Sequence, residues 1–183
     1  MERKLILVDA ADRPVGGAAK LKVHEEGALH RAFSVFVFND RAELLLQQRA
    51  HGKYHSGGLW SNTCCGHPWE GEETASAAHV RLGEEMGFHC PLTPVGSFVY
   101  RARVSEAMVE HEYDHLYVGR FNRAPVPNAE EVAAWAWIGI ADLLRQAHDS
   151  PHRFTAWLLK LLDWAGADGL HEWARVAQLC PAP

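Results

Sequence analysis

Three groups of side chains in this chain have the types and spacing to do chemistry. The first is Asn62-Thr63-Cys64-Cys65-Gly66-His67-Pro68. A cysteine two residues before a histidine, with glycine between, lets the backbone bend tightly around both side chains. A thiol there could give or take a proton, and its acidity would follow the neighbouring charge. The competing reading is an inert, buried cysteine pair beside a surface histidine. The second group is Glu110-His111-Glu112. In extended chain, residues two apart share a face, so the two carboxylates project together and repel unless a cation or proton lies between them. A solvated acidic strand end is the plainer alternative. The third is His24 and His30, flanking Glu25-Glu26-Gly27 on what reads as one loop. Any one of these histidines alone reads as a surface residue. Joined to His67 and the two carboxylates, they form a nitrogen- and oxygen-rich set suited to Zn, Mn or Mg.

These residues need a scaffold, and the hydrophobic periodicity outlines one. Residues 5–8 read as a short strand, and 12–17 (Asp-Arg-Pro-Val-Gly-Gly) as a turn. Residues 33–38 and 44–46, separated by Asn39-Asp40-Arg41, read as a hairpin of two buried strands. Residues 52–65 have no periodicity and read as a long loop of the kind that carries function. Ala75, Ala78, Leu82 and Met86 recur at helical steps and predict a helix over 74–86, with Thr74 as N-cap and Gly87 as the terminating glycine. Strands are expected at 95–103, 113–121 and 135–138, and a helix at 141–147. Phe154, Trp157, Leu158, Leu161 and Ala165 mark an amphipathic helix near the end. The irregular alternation points to an α+β domain, a mixed sheet sandwiched by helices.

Composition bounds the rest. The 183 residues carry 48% hydrophobic and 22% charged side chains and a net charge of −5, which fits one globular domain with a real core and excludes a disordered chain. A net acidic chain is a poor general nucleic-acid binder. Apolar runs such as 157–162 fall far short of the roughly 18–20 residues of a membrane span, so no membrane insertion is expected. Met1-Glu2-Arg3-Lys4 and the short apolar stretch broken by Asp9 and Asp12 lack the core and cleavage site of a secretory leader. The expected compartment is the cytoplasm, with Cys64, Cys65, Cys90 and Cys180 as free thiols. The expected state is a monomer or small homo-oligomer.

A fourth feature makes the reading specific. Gly66, then five residues, Glu72, then seven residues, then Val80-Arg81-Leu82-Gly83-Glu84-Glu85-Met86-Gly87-Phe88 resembles the Nudix box, a loop–helix–loop that presents carboxylates to divalent metals and a diphosphate. Val80-Arg81 stands where the box has Arg-Glu, so one helix carboxylate has become a cation, which suits water activation less. Gly52-Lys53-Tyr54-His55, Leu59-Trp60-Ser61-Asn62-Thr63-Cys64-Cys65-Gly66-His67-Pro68, this altered box and Glu110-His111-Glu112 follow in one order. Together they resemble the type I isopentenyl-diphosphate isomerases, over a core of about residues 5–162 in a single Nudix-like domain spanning 1–183.

The resemblance implies interconversion of isopentenyl and dimethylallyl diphosphate by protonation and deprotonation through a carbocation; a Nudix-type diphosphate hydrolase is the alternative. It implies Cys65 as the catalytic thiol, and Glu112 as the opposing carboxylate and a metal ligand. His24, His30, His67 and Glu110 would complete a site for one divalent ion, Mn2+, Zn2+ or Mg2+. Glu85 would hold Mg2+ with the diphosphate, and Lys20, Arg49, Lys53 and Arg81 would meet its phosphates. Tyr100 would hydrogen-bond near Glu112. Trp157 would face the hydrocarbon, where an indole stabilises a desolvated cation by about 2 kcal/mol; helical spacing fits plain core packing for it as well. The partner is a small isoprenoid diphosphate.

Overall fold

A computed structural model describes residues 3–181. Met1 and Glu2 of the amino-terminal reading, and the last two residues of the expected domain, lie outside them. The organising element is β3 (His30–Phe38), whose residues are nearly all buried because both faces of the sheet are covered. Strand alternation sends Phe36 and Phe38 into one core with Leu116, Val118, Trp157, Leu158 and Leu161. It sends Phe33, Val35 and Val37 into the other, with Ala78, Leu82 and Met86.

One edge of β3 pairs in parallel with β8 (Val109–Arg120), from His30 opposite Glu112 to Phe38 opposite Arg120. Its other edge is shared by β1 (Lys4–Val8) at His30, β6 (Cys64–Gly66) at Phe33–Val35, and β4 (Glu43–Arg49) at Phe38. Outward from these lie β2 (Pro14–Ala19) on β1, β5 (Trp60–Ser61) and β9 (Val132–Gly139) on β4, and β7 (Leu92–Arg103) on β8. The helices are α1 (Lys20–Glu26), α2 (Thr74–Met86), α3 (Ile140–Asp149) and α4 (Ala156–Leu179). Helix α2 covers one face of this mixed sheet, and α3 and α4 the other. The α+β expectation holds.

Several local expectations are corrected. The turn lies at residues 9–12, before Pro14, because Asp9 Oδ1 accepts the backbone N–H groups of Ala11 and Arg13 at 2.9 and 3.0 Å. Residues 14–17 are therefore strand. The hairpin of β3 and β4 is in register only at Phe38 and Leu44. The strands splay because residues 61–66 wedge between them. Thr63 Oγ1 accepts Val37 N–H at 2.9 Å and donates to the Leu45 carbonyl at 2.7 Å, so one hydroxyl spans the gap. The expected loop 52–65 thus contains β5 and the start of β6.

The N-cap of α2 is Glu73, not Thr74. Its carboxylate accepts Ala75 N–H and Ser76 N–H, where negative charge also suits the helix dipole. Gly87 ends the helix at φ 72°. Phe154 precedes α4 rather than joining it. Gly166 (φ 61°) kinks that helix, and Leu170, Trp173, Ala174 and Ala177 beyond the kink are buried, so the core continues past residue 162.

Candidate active site and metal centre

His24 and His30 are not on one loop. His24 lies near the end of α1 and His30 opens β3, yet both are fully buried and their rings are 5.0 Å apart. Glu110 and Glu112 lie inside β8 rather than at its mouth, on one face, as the alternation requires. With His67, just after β6, these five residues each offer a ligand atom within 4.8 Å of the others. His24 Nδ1 hydrogen-bonds the Lys20 carbonyl at 2.7 Å and His30 Nδ1 the Ala28 carbonyl at 2.8 Å. Each Nδ1 therefore donates to a carbonyl, which turns each Nε2 inward.

His30 Nε2 is buried without a hydrogen-bond partner, and His24 Nε2 and Glu110 Oε2 are buried facing only each other, at 3.1 Å and outside hydrogen-bond geometry. Buried polar atoms are normally satisfied, and a cation would satisfy all three, so the residues present fit a metal ion. Burial holds the His30 pKa down at about 3 and pushes His67 well below the imidazole range, which keeps both neutral. Burial also disfavours charge on His24, but the Glu110 carboxylate 3.1 Å away outweighs it and raises that pKa.

Above this group is a cavity of about 360 Å³. Cys65, His67, Tyr100, Glu110, Glu112 and Trp157 line it. The two adjacent cysteines face opposite ways, as strand residues must: Cys64 lies in the core under α2, and Cys65 faces the cavity. Burial pushes the Cys65 thiol well above its usual range despite the pull of Arg49. Cys65 pairs with Ser34 on one edge of β3, and Glu112 with His30 on the other, so thiol and carboxylate flank that strand. Glu112 Oε1 lies 2.8 Å from His67 Nε2, and Oε2 accepts the Tyr100 hydroxyl at 2.6 Å. Trp157 donates its indole N–H to Ser61 Oγ at 2.9 Å, and the Arg49 guanidinium lies 5.1 Å from its ring centroid.

Lys20, Arg49, Lys53, Arg81, Glu84, Glu85 and Glu131 line the same cavity. Lys20 is held below the usual lysine range by burial, against the pull of Glu110, Cys65 and Glu112. Arg49 Nε has no partner. The pair Arg81 and Glu85 is not an ordinary exposed one: Glu85 is buried, accepts Gln47 Nε2–H at 2.7 Å, and meets Arg81 Nε at 2.8 Å. Burial raises the Glu85 pKa against the opposing charge of Arg81.

Every expected site residue therefore belongs to the cavity wall or to the buried group beneath it. Residues missed from the sequence also take part. His55 Nε2 lies 3.3 Å from Glu110 Oε1, and its ring meets Trp157 edge-on. Burial lowers its pKa to about 4. Asp114 is buried, accepts the Ser34 hydroxyl at 2.8 Å and leaves Oδ1 unpartnered; continuing the alternation of Glu110 and Glu112 by one step would have found it. Nothing in the residues around Glu131 signals its place.

The NUDIX domain family matches residues 28–158. The Isopentenyl-diphosphate Delta-isomerase of Burkholderia multivorans is 55% identical over 174 residues, covering 95% of this chain and 99% of its own length. The Isopentenyl-diphosphate Delta-isomerase 2 of Photorhabdus laumondii is 47% identical, covering 96% and 99%. Among solved structures, DR0079 from Deinococcus radiodurans superposes with a TM-score of 0.75 at 18% identity, covering 89% of this chain and 99% of that one, a likeness of fold.

Proposed function

The chain belongs to the Nudix family and, within it, to the isopentenyl-diphosphate Delta-isomerases, and from that membership we propose how its residues divide the work. The reaction it catalyses interconverts isopentenyl and dimethylallyl diphosphate. A proton adds to the terminal alkene carbon, the tertiary cation forms at the neighbouring carbon, and loss of a different proton from the carbon nearer the diphosphate restores a double bond. Cys65 and Glu112 are the two groups that give and take these protons. The observation that carries this is their common cavity, in which they flank β3 from either edge.

Tyr100 holds Glu112 in place, and its phenolic proton answers the charge on that carboxylate. Trp157 presents an indole face to the cation, worth about 2 kcal/mol when water is excluded, and its N–H bond to Ser61 fixes the ring. His24, His30, His67, Glu110 and Glu112 hold one divalent ion, and three imidazoles with two carboxylates favour Zn2+ or Mn2+ over Mg2+. An ion held there would supply the positive charge that two adjacent carboxylates call for.

At the other end Lys20, Arg49, Lys53 and Arg81 receive the diphosphate, and Glu85 holds the Mg2+ that accompanies it; carboxylate oxygens suit that ion. This remote binding energy positions the alkene between thiol and carboxylate. Hydrolysis is disfavoured because the Arg81 guanidinium, tied to Glu84 and Glu85, stands where a hydrolytic box has a carboxylate. An assay that follows rearrangement of isopentenyl diphosphate, with phosphate release read in parallel, tests the reading: rearrangement without release supports it, and release without rearrangement overturns it.

A further inference from the structure

Glu131, just before β9, sits among the cations of the diphosphate end. Its Oε2 accepts from Lys53 Nζ and from Arg81 Nη2, the latter at 2.7 Å. One carboxylate oxygen thus bridges two cations, as a phosphate oxygen would. Its position is set by the backbone: Ala50 N–H donates to the Glu131 carbonyl, Glu131 N–H to the Asn128 carbonyl, and Asn128 N–H to the Glu85 carbonyl. Each nitrogen of the Arg81 guanidinium meets a carboxylate: Glu84 at 3.0 Å, Glu85 at 2.8 Å and Glu131 at 2.7 Å. By contrast, neither Lys20 nor Arg49 has an acidic partner within 4.0 Å among the described residues. Two of the four cations thus lack a carboxylate partner, and two share the same one.

We propose that Glu131 is a specificity-determining residue that masks Lys53 and Arg81 and selects for anions that arrive with a divalent cation. This rests on the assignment of the cavity's basic end to a diphosphate. An anion that engages Lys53 and Arg81 must displace Glu131 Oε2. A released carboxylate whose side chain is only 20% exposed is poorly rehydrated, and an unpaired, largely buried charge is costly. A metal-free phosphate or diphosphate therefore gains two cation contacts and strands one carboxylate. A magnesium-bound diphosphate brings a cation to the same carboxylate-rich end, where Glu131 and Glu85 are then countered again. Glu131 would thus make Mg2+ a condition of tight head-group binding.

The test is calorimetric binding of inorganic pyrophosphate to the full-length protein, with and without Mg2+, for the wild type, Glu131→Gln and Glu84→Gln. The amide keeps the size of the side chain and leaves the three backbone bonds intact; Glu131→Ala serves if the amide variant does not fold. The expected result is that Glu131→Gln binds metal-free pyrophosphate about tenfold more tightly than the wild type, a change of about 1.4 kcal/mol. With Mg2+ present the gap narrows. Glu84→Gln, which frees Arg81 from an exposed partner without touching Lys53, gains clearly less. Metal-free binding by Glu131→Gln that is equal to or weaker than wild type overturns the proposal, as does an equal gain in Glu84→Gln, which would mark a general charge effect. Failure of the wild type and both variants to bind pyrophosphate even with Mg2+ overturns the head-group assignment itself, and the proposal with it.

Discussion

Tyr100 and Glu112 are directly opposed cross-strand neighbours of β7 and β8, and the phenol donates to the carboxylate at 2.6 Å. The bond is therefore built into the sheet's register rather than into a flexible loop. Glu112 takes this bond on one oxygen and faces His67 with the other, so its orientation is determined from both sides. Tyr100→Phe is expected to lower kcat by about 10²-fold with metal content unchanged, read by steady-state kinetics and elemental analysis. A variant with wild-type kcat would remove Tyr100 from the machinery.

Cys65→Ser should cut isomerisation roughly 10³-fold without moving the melting temperature, because a hydroxyl matches the thiol in size but is far less acidic. Cys64→Ser, in the core under α2 and away from the cavity, should leave turnover nearly intact. The reverse pattern would mean that the strand presents the other face.

Protein purified without chelator should carry about one equivalent of Zn2+ or Mn2+. Replacing His24 and His67 together with alanine should empty the site, since two of three imidazoles are lost. Full occupancy in that double variant would disprove the ligand set. Chelation of the wild type should lower its melting temperature, because it leaves His24 Nε2, His30 Nε2 and Glu110 Oε2 buried without hydrogen bonds.

Glu85→Gln should sharply raise the Mg2+ concentration needed for half-maximal activity while leaving the histidine-site metal in place. Arg81→Ala should raise KM, because the diphosphate loses one of its cations. Wild-type Mg2+ dependence in Glu85→Gln would leave α2 as a structural relic of the box it resembles.

Thr63→Val keeps the shape of the side chain but removes the hydroxyl that spans β3 and β4, orphaning Val37 N–H and one acceptor position at Leu45. A loss of about 1–3 kcal/mol is expected, measured by denaturant unfolding. Turnover should fall as well, because the same segment carries Cys65 two residues on. An unchanged midpoint would show that the wedge is held by Asn62 and Gln47 instead, through their bonds to the Val35 and Thr63 carbonyls.

By itself the sequence determined what local periodicity and residue chemistry can express. The three- and four-residue recurrence of Ala75, Ala78, Leu82 and Met86 gave the span of α2, with its N-cap one residue off, and the two-residue alternation put Glu110 and Glu112 on one face. The ordered motifs around Cys65 marked the family, because each restricts a short stretch of backbone. Tertiary structure alone decided which distant strands pair and which charges meet. Residues 33–38 and 44–46 read as a hairpin, yet β3 spends its length beside β8, whose paired residues lie 82 positions further along the chain, and Thr63 wedges the hairpin apart. His24 and His30 read as one loop, and converge only because α1 folds back over the start of β3. Lys53, Arg81 and Glu131 are far apart in sequence and meet at one oxygen. Alternation and helical period act over a few residues, whereas strand pairing and buried charge are settled by burying apolar surface and satisfying polar atoms across the whole chain.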